Sequence, residues 1–292
     1  MLIQVIVNGI LMGGVFALVA VGLTMIHGVM KVVNFAQGDF LVAGMFLTYV
    51  FYTLMPEQSL PYWLILPVAA GMYLFGCIIF QSTIKKVIGQ GDSNYILLTI
   101  GLSFMIQNLL QLMFGANFRS LPVSERLRMG SWDFVGILFP VSRTIAFFAV
   151  IVFVFFVNWF LTRTDLGRAM RATADNKVVA ESLGIRGNMV YTTAFAIGTM
   201  FAGLSGLLLS PVQLVFPAAG LPFGLVAMSA MVLGGLGNIK GAFIGGLIIG
   251  LVESITSSYI NIAMAPVAVN FVLILVLIFK PYGILGKKRR TA

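Results

Sequence analysis

Charge is scarce in this chain. Only 9% of its 292 residues are Asp, Glu, Lys or Arg, against about 25% in a typical soluble domain. Cys77 is the single cysteine and His27 the single histidine. That excludes a disulfide framework within the chain and leaves too few ligands for a Cys/His metal cluster. Nucleophile elbows, HExxH and paired-carboxylate spacings are also missing. The segment "GGLGNIKG" looks like a phosphate loop. It lacks the G-x-x-x-x-G-K-[ST] order, however, and follows a hydrophobic run instead of a strand. The chain is therefore expected to be no enzyme, to hold no cofactor or metal of its own, and not to hydrolyse ATP by itself.

Apolar sequence fills the space that charge leaves, at 60% of residues. Hydrophobic stretches near 20 residues recur along the whole length, too long and too continuous for the alternating strands of a barrel. The expected fold is all-α: a polytopic transmembrane helix bundle of about eight or nine spans with broken helices, forming one domain over residues 1–292. Spans are read at 2–29, 37–55, 62–84, 95–115, 140–161, 190–210, 222–237, 241–260 and 265–280. No basic region precedes the first run, so it is read as a retained span and not as a cleaved signal.

The net charge of +9 sits in a few loops and the tail. It carries no aromatic-interleaved stripe, which argues for membrane orientation and against nucleic acid. Lys85 and Lys86, the group Arg163, Arg168, Arg171, Lys177 and Arg186, and the terminal "GKKRR" are assigned to the cytoplasm. "MPEQSLPYW" and "SPVQLVFPAAGLP" contain no basic residue and are placed outside. Nine crossings with the N-terminus outside and the C-terminus inside satisfy every assignment. The short 222–237 segment is the weak member: a crossing, broken or tilted, or a re-entrant hairpin.

Two patterns stand out within the spans. "NFAQGDFLVAG" (34–44) and "NIKGAFIGG" (238–246) both open on Asn and both place Gly, any residue, Phe, an aliphatic and small residues. Glycine-interrupted hydrophobic segments in corresponding halves point to a transport site, and tight turns with helix caps are the alternative reading. Asn34, Gln37, Gly38 and Asp39, with Asn238 and Gly241, are the candidates for a translocation path. Glu253 joins them as the acidic residue well inside a predicted helix, where it is either functional or hydrogen-bonded to neighbouring helices. Small-residue runs such as "GAFIGGLIIG" predict close helix packing.

Loop 116–139 carries mixed charge and is expected outside. Loop 162–189 reads as one short helix, "NKVVAESL", capped by Asp175, with an apolar face at Val178, Val179 and Leu183 and an end at Gly184. It suits either a helix lying on the bilayer surface or a knob that docks into a partner.

Four segments in order, "VNFAQGDF" with "VAGM", "LGRAMRATADNKVVAESLGI", "VLGGLGNIKGAFIGGLIIGLVES" and "FKPYGILG", resemble the LivH-type permeases. These are the membrane subunits of branched-chain amino acid ABC importers, and the likeness runs from about Asn8 to Gly286. The sequence departs from the commonest family pattern at Gln37 and Asp39, where His and Glu are usual, which leaves open the cargo: amino acids, urea or short amides. The resemblance implies a bacterial inner-membrane protein with four kinds of neighbour: a second, related permease subunit, two ATP-binding cassette subunits that bind the ATP, a periplasmic solute-binding protein and the lipid bilayer. It makes 162–189 the coupling segment, with Arg168, Arg171, Asp175, Ala180 and Gly184 as contacts to the ATPase. The runner-up is an ion-coupled secondary carrier. On the family reading, replacing Asn34 or Gly38 by Leu is expected to abolish uptake while leaving assembly intact.

Overall fold

With hardly any water-facing polar sequence, the backbone must satisfy its own hydrogen bonds, and in lipid that means helices. A computed structural model describes residues 2–54, 61–121, 123, 127, 130–134 and 136–286. Its helices are α1 (Leu2–Met30), α2 (Gln37–Thr53), α3 (Ile65–Ser82), α4 (Asp92–Phe114), α5 (Val141–Arg163), α6 (Asp165–Asp175), α7 (Lys177–Ser182), α8 (Gly187–Leu209), α9 (Gly220–Gly234), α10 (Ile239–Tyr259) and α11 (Ala265–Phe279). Each predicted span is a helix whose ends fall within about three residues of those expected. Among the described residues, eight helices are long and apolar enough to cross a membrane, α9 counted with the turn at Pro217–Ala219 and α11 with the turn at Ile262–Met264. The ninth, α2, has 17 residues. The chain is a multi-pass helical membrane protein.

Helix α1 is the centre of the bundle, and its most apolar stretch is almost wholly buried. It packs against α5, α8, α9 and α10. The closest seam is with α10, where glycines let the backbones approach: a methyl on Gly13 would lie 2.9 Å from the Gly246 carbonyl oxygen. At one end of this seam the Ser254 hydroxyl donates to the Val5 carbonyl at 2.8 Å. Around Phe40, the rings of Phe75 and Phe195 stand edge-on at 5.9 and 5.8 Å, an arrangement worth about 0.5–1.5 kcal/mol per pair beyond burial.

One end of the bundle gathers the ends of α1 and α9, helix α6 and the segment 281–286 around Lys31 and Arg171, and is called the basic end. At the opposite end, loop 116–139 is not featureless. It holds an antiparallel hairpin of β1 (Ser131–Phe134) and β2 (Ile137–Pro140). Gln4 fastens the hairpin to α1: its Nε2 donates to the Leu138 carbonyl and its Oε1 accepts from the Leu138 N–H. Gly136, at φ +77°, makes the turn.

Candidate functional site

Two helices begin against each other inside the bundle. The backbone from Lys31 to Ala36 is extended or turned, and α2 starts only at Gln37. The Gln37 Nε2 donates to the carbonyl of Gly198, halfway along α8, at 3.1 Å. So α2 starts at the mid-height of its neighbour. Its first turn abuts the first turn of α9: a methyl on Gly38 would strike the Gly220 oxygen and lie 2.7 Å from the Gly224 nitrogen. From this junction α2 runs toward the hairpin end, and α9 runs toward the basic end, where the Leu233 and Gly234 carbonyls accept from Ile284 and Leu285. Their lengths, about 25 and 22 Å, both fall short of the roughly 30 Å hydrocarbon core. Each is completed by a non-helical lead-in, which is tolerated at that depth because protein surrounds it.

The side chains at the junction are bonded to one another. Asn34 accepts the Ala36 N–H at 3.1 Å and donates to Gln37 Oε1 at 3.3 Å. Both are 1% exposed. No side chain of its own caps either helix. Asp39, 5% exposed, lies in the first turn of α2 with its carboxylate against Gly220, and accepts the Ser103 hydroxyl of α4 at 2.5 Å. One carboxylate thus stands at two helix N-termini, where negative charge is favourable by about 0.3–1 kcal/mol each.

The partner of this stretch is Gly220–Gly224 and not the echo at 238–246. Asn238 and Gly241 both lie at the basic end, Asn238 in the turn between α9 and α10 and Gly241 in the first turn of α10. Asn238 caps α10 by accepting from Gly241 N at 3.1 Å and donates to the Leu285 carbonyl at 2.8 Å. Gly241 packs on Gly234. The two segments share a pattern of close packing and occupy different places. The signal for the true partner is "GLPFG", a small-x-x-x-small spacing; Ser103 has no sequence signal.

Glu253 lies elsewhere again. It lines a cavity of about 370 Å³ between α1, α9, α10 and α11, together with Gln213, Ser229 and Asn270. Met12, Phe16, Leu221, Phe223 and Leu225 form its apolar wall. Glu253 Oε2 is buried without a hydrogen-bond partner.

The segment 162–189 is two helices, not one. Thr164 caps α6 by accepting from Gly167 N at 3.1 Å. Asn176, and not Asp175, caps α7, accepting from Val178 N at 3.0 Å and Val179 N at 3.2 Å. Gly184 ends it at φ +85°. Val178 and Leu183 are 73% and 76% exposed, with Val179 between them in the chain. Of the expected ATPase contacts, Ala180 is 2% exposed and turned inward, so it offers no surface. Arg168 pairs with Asp165 at 2.5 Å. Arg171 and Asp175 line a cavity of about 560 Å³ at the basic end with His27, Lys31, Val232 and Tyr282.

Residues 5–280 match a family described as "Branched-chain amino acid transport system / permease component". The permease protein BraD of Pseudomonas aeruginosa, of a high-affinity branched-chain amino acid transport system, is 30% identical, over 98% of this chain and 96% of its own. LivH of Escherichia coli, a permease of a system so described, is 32% identical with the same coverage. In structure, the chain resembles PsaBC from Streptococcus pneumoniae, solved with a Fab. The TM-score is 0.52 at 10% identity, covering 92% of this chain and 90% of that one, a likeness of fold. The chain belongs to the family of branched-chain amino acid transport permease components.

Proposed function

We propose that this chain is the permease subunit of an ATP-driven importer and forms half of a translocation path for a small amphipathic solute, an amino acid with an apolar side chain fitting best. The observation that carries this reading is the α6–α7 pair. It projects from the basic end, is stiffened by two side-chain caps, and presents bare Val178, Val179 and Leu183 outside the spans. Exposed apolar residues on a rigid tip fit a socket in a partner. The chain holds no nucleotide loop, so a pair of ATP-binding cassette subunits supplies the energy. On this reading the basic end is cytoplasmic, in agreement with the charge bias, and the N-terminus faces the periplasm, where a solute-binding protein delivers its load beside the hairpin.

Helix α9 connects the parts. Its start touches the Asp39 junction and, through Leu221 and Leu225, the Glu253 cavity; near its other end Val232 lines the basic cavity beside Arg171 and Asp175 of α6. A push on α6–α7 by the closing ATPases therefore reaches α9 through α1, which packs on both α6 and α9. Asn34, Gln37, Gly38 and Asp39 act as its sealed pivot. Glu253 faces the path, which a second, related permease closes from the other side. Asn238 and Gly241 hold the turn that anchors α9 to α10.

The test is reconstitution. ATPase subunits should co-purify with the chain, and proteoliposomes should take up solute only with ATP and a loaded binding protein. Replacing both Val178 and Leu183 by Asp should abolish both behaviours. Uptake by this chain alone, driven by an ion gradient, would instead establish a secondary carrier.

A further inference from the structure

One glycine of a spanning helix has no neighbour. Among the described residues, a methyl added to any other glycine inside a helix would meet an atom within 4 Å; on Gly101 of α4 it would meet none. Glycine weakens a helix interior, and elsewhere in this bundle it permits close helix contact. Gly101 opens instead on a groove of about 630 Å³ along the exposed side of α4 and the turn before it. The groove changes character along its length. Thr83, Gln90 and Asn94 line one end, and Leu97, Leu98 and Met105 follow along α4. The polar part is at the basic end of the bundle, since Ile88 and Gly89 of the same turn share a cavity with Met30 and Val32, where α1 stops. Gln90 donates to the Lys86 carbonyl at 2.9 Å and Asn94 to the Gln90 carbonyl at 3.0 Å, which leaves each amide a second N–H. Lys85 and Lys86 stand in the adjoining turn Ile84–Lys86, exposed and in no ion pair among the described residues. The stretch 83–94 carries these two cations and one acid, Asp92.

Charge, then hydrogen-bond donors, then hydrocarbon is the order of matching groups down a phospholipid. The length agrees as well. From Asn94 to Met105 the helix rises about 16 Å, the depth of one leaflet in a core of roughly 30 Å. A helix of another subunit is the competing occupant. The second permease, on the importer reading, closes the Glu253 face of α1, α9, α10 and α11. Helix α4 packs on α2 and the turn at Pro217–Ala219, which on that reading leaves its groove to lipid.

We propose that the α4 groove holds one anionic phospholipid from the leaflet at the basic end. An acyl chain lies over Gly101 between Leu97 and Met105, the ester oxygens accept from Gln90 and Asn94, and the phosphate lies against Lys85 and Lys86. Each lysine near the surface strengthens the hold on an anionic headgroup about fivefold.

The experiment places the full chain, with the subunits that co-purify with it, in nanodiscs containing photoactivatable phosphatidylglycerol or phosphatidylcholine, each with a diazirine on the acyl chain. Phosphatidylglycerol should label Leu97–Met105 about fivefold or more above phosphatidylcholine. Lys85→Gln combined with Lys86→Gln should erase that preference. Gly101→Phe fills the groove without meeting another element, and should bring phosphatidylglycerol labelling of α4 down to the phosphatidylcholine level while that of α11 stays unchanged. Co-purification of the ATPases with each variant shows that assembly is intact. Equal labelling of α4 by the two lipids in wild type overturns the proposal, as does a preference that survives either variant. An α4 labelled by neither lipid while the ATPases are bound also overturns it, because another subunit then covers the groove, and the importer reading stands.

Discussion

Glycine 38 has no room for even one carbon more. The atoms it meets are backbone, Gly220 O and Gly224 N, which cannot rotate away. Gly38→Ala should cost about 1–3 kcal/mol, measured as lower resistance to unfolding in detergent, and Gly38→Leu should yield no folded, assembled protein. That reverses the expectation from sequence, in which Gly38→Leu and Asn34→Leu left assembly intact; Asn34 is as buried as the glycine's neighbours and its amide is spent on the lead-in to α2. Ser103→Ala removes the donor to Asp39 and should cost about 1–3 kcal/mol in the same assay, because it leaves a buried carboxylate oxygen unpaired. The residues from Asn34 to Asp39 were legible as an anomaly, polar groups crowded into apolar sequence. Their partner was not. A repeated Asn…Gly-x-Phe pattern is visible along one chain, whereas the approach of α2 to α9 depends on how the 181 residues between Gly38 and Gly220 fold, and local pattern carries no such information. Glu253 was legible for the same reason as Asn34: charge is rare where water is absent.

At the level of elements, α6 and α7 are the case where a boundary mattered. The helix read from "NKVVAESL" is α7, with its cap one residue further on, and the helix missed is α6, ahead of it. The two are separated at Asn176, whose backbone is extended (φ −151°, ψ 107°) and whose side chain caps α7. Asp175, next door, was the equally good chemical choice; the difference is which residue leaves helical geometry, and Asp175 is still the last residue of α6. Asn176→Ala should cost about 1 kcal/mol of local helix stability, seen as faster amide exchange over Val178–Ser182, and should weaken ATPase co-purification less than the Val178/Leu183 double replacement does. The hairpin of β1 and β2 was missed because strands of four residues in a loop of mixed charge give little periodic signal.

For the whole molecule, hydropathy made nearly everything about the number and position of the helices readable, since the length of a run is dictated by the thickness of the bilayer. The sidedness proposed from the basic loops is directly testable. In a Cys77→Ser background, Ser182→Cys at the end of α7 should react with a membrane-impermeant maleimide in inverted vesicles and not in intact cells; the opposite result would place α6–α7 outside and remove the ATPase from that surface. What hydropathy does not encode is which helix stands in the middle. Every run looks equally greasy, and only the glycine-rich seam of α1 with α10 hints that α1 is surrounded by protein.

That central place has a price in time. Helix α1 leaves the ribosome well before its main neighbours: α10 begins roughly 200 residues later, which is about 10 to 40 s at translation rates of 5–20 residues per second. Throughout that interval a helix destined to touch almost no lipid must reside in lipid, its glycine grooves and Asn8 filled by acyl chains or by whatever escorts it. Biogenesis of this subunit should accordingly be its most fragile stage, with the nascent chain depending on insertion machinery until α8 to α10 arrive to enclose their core.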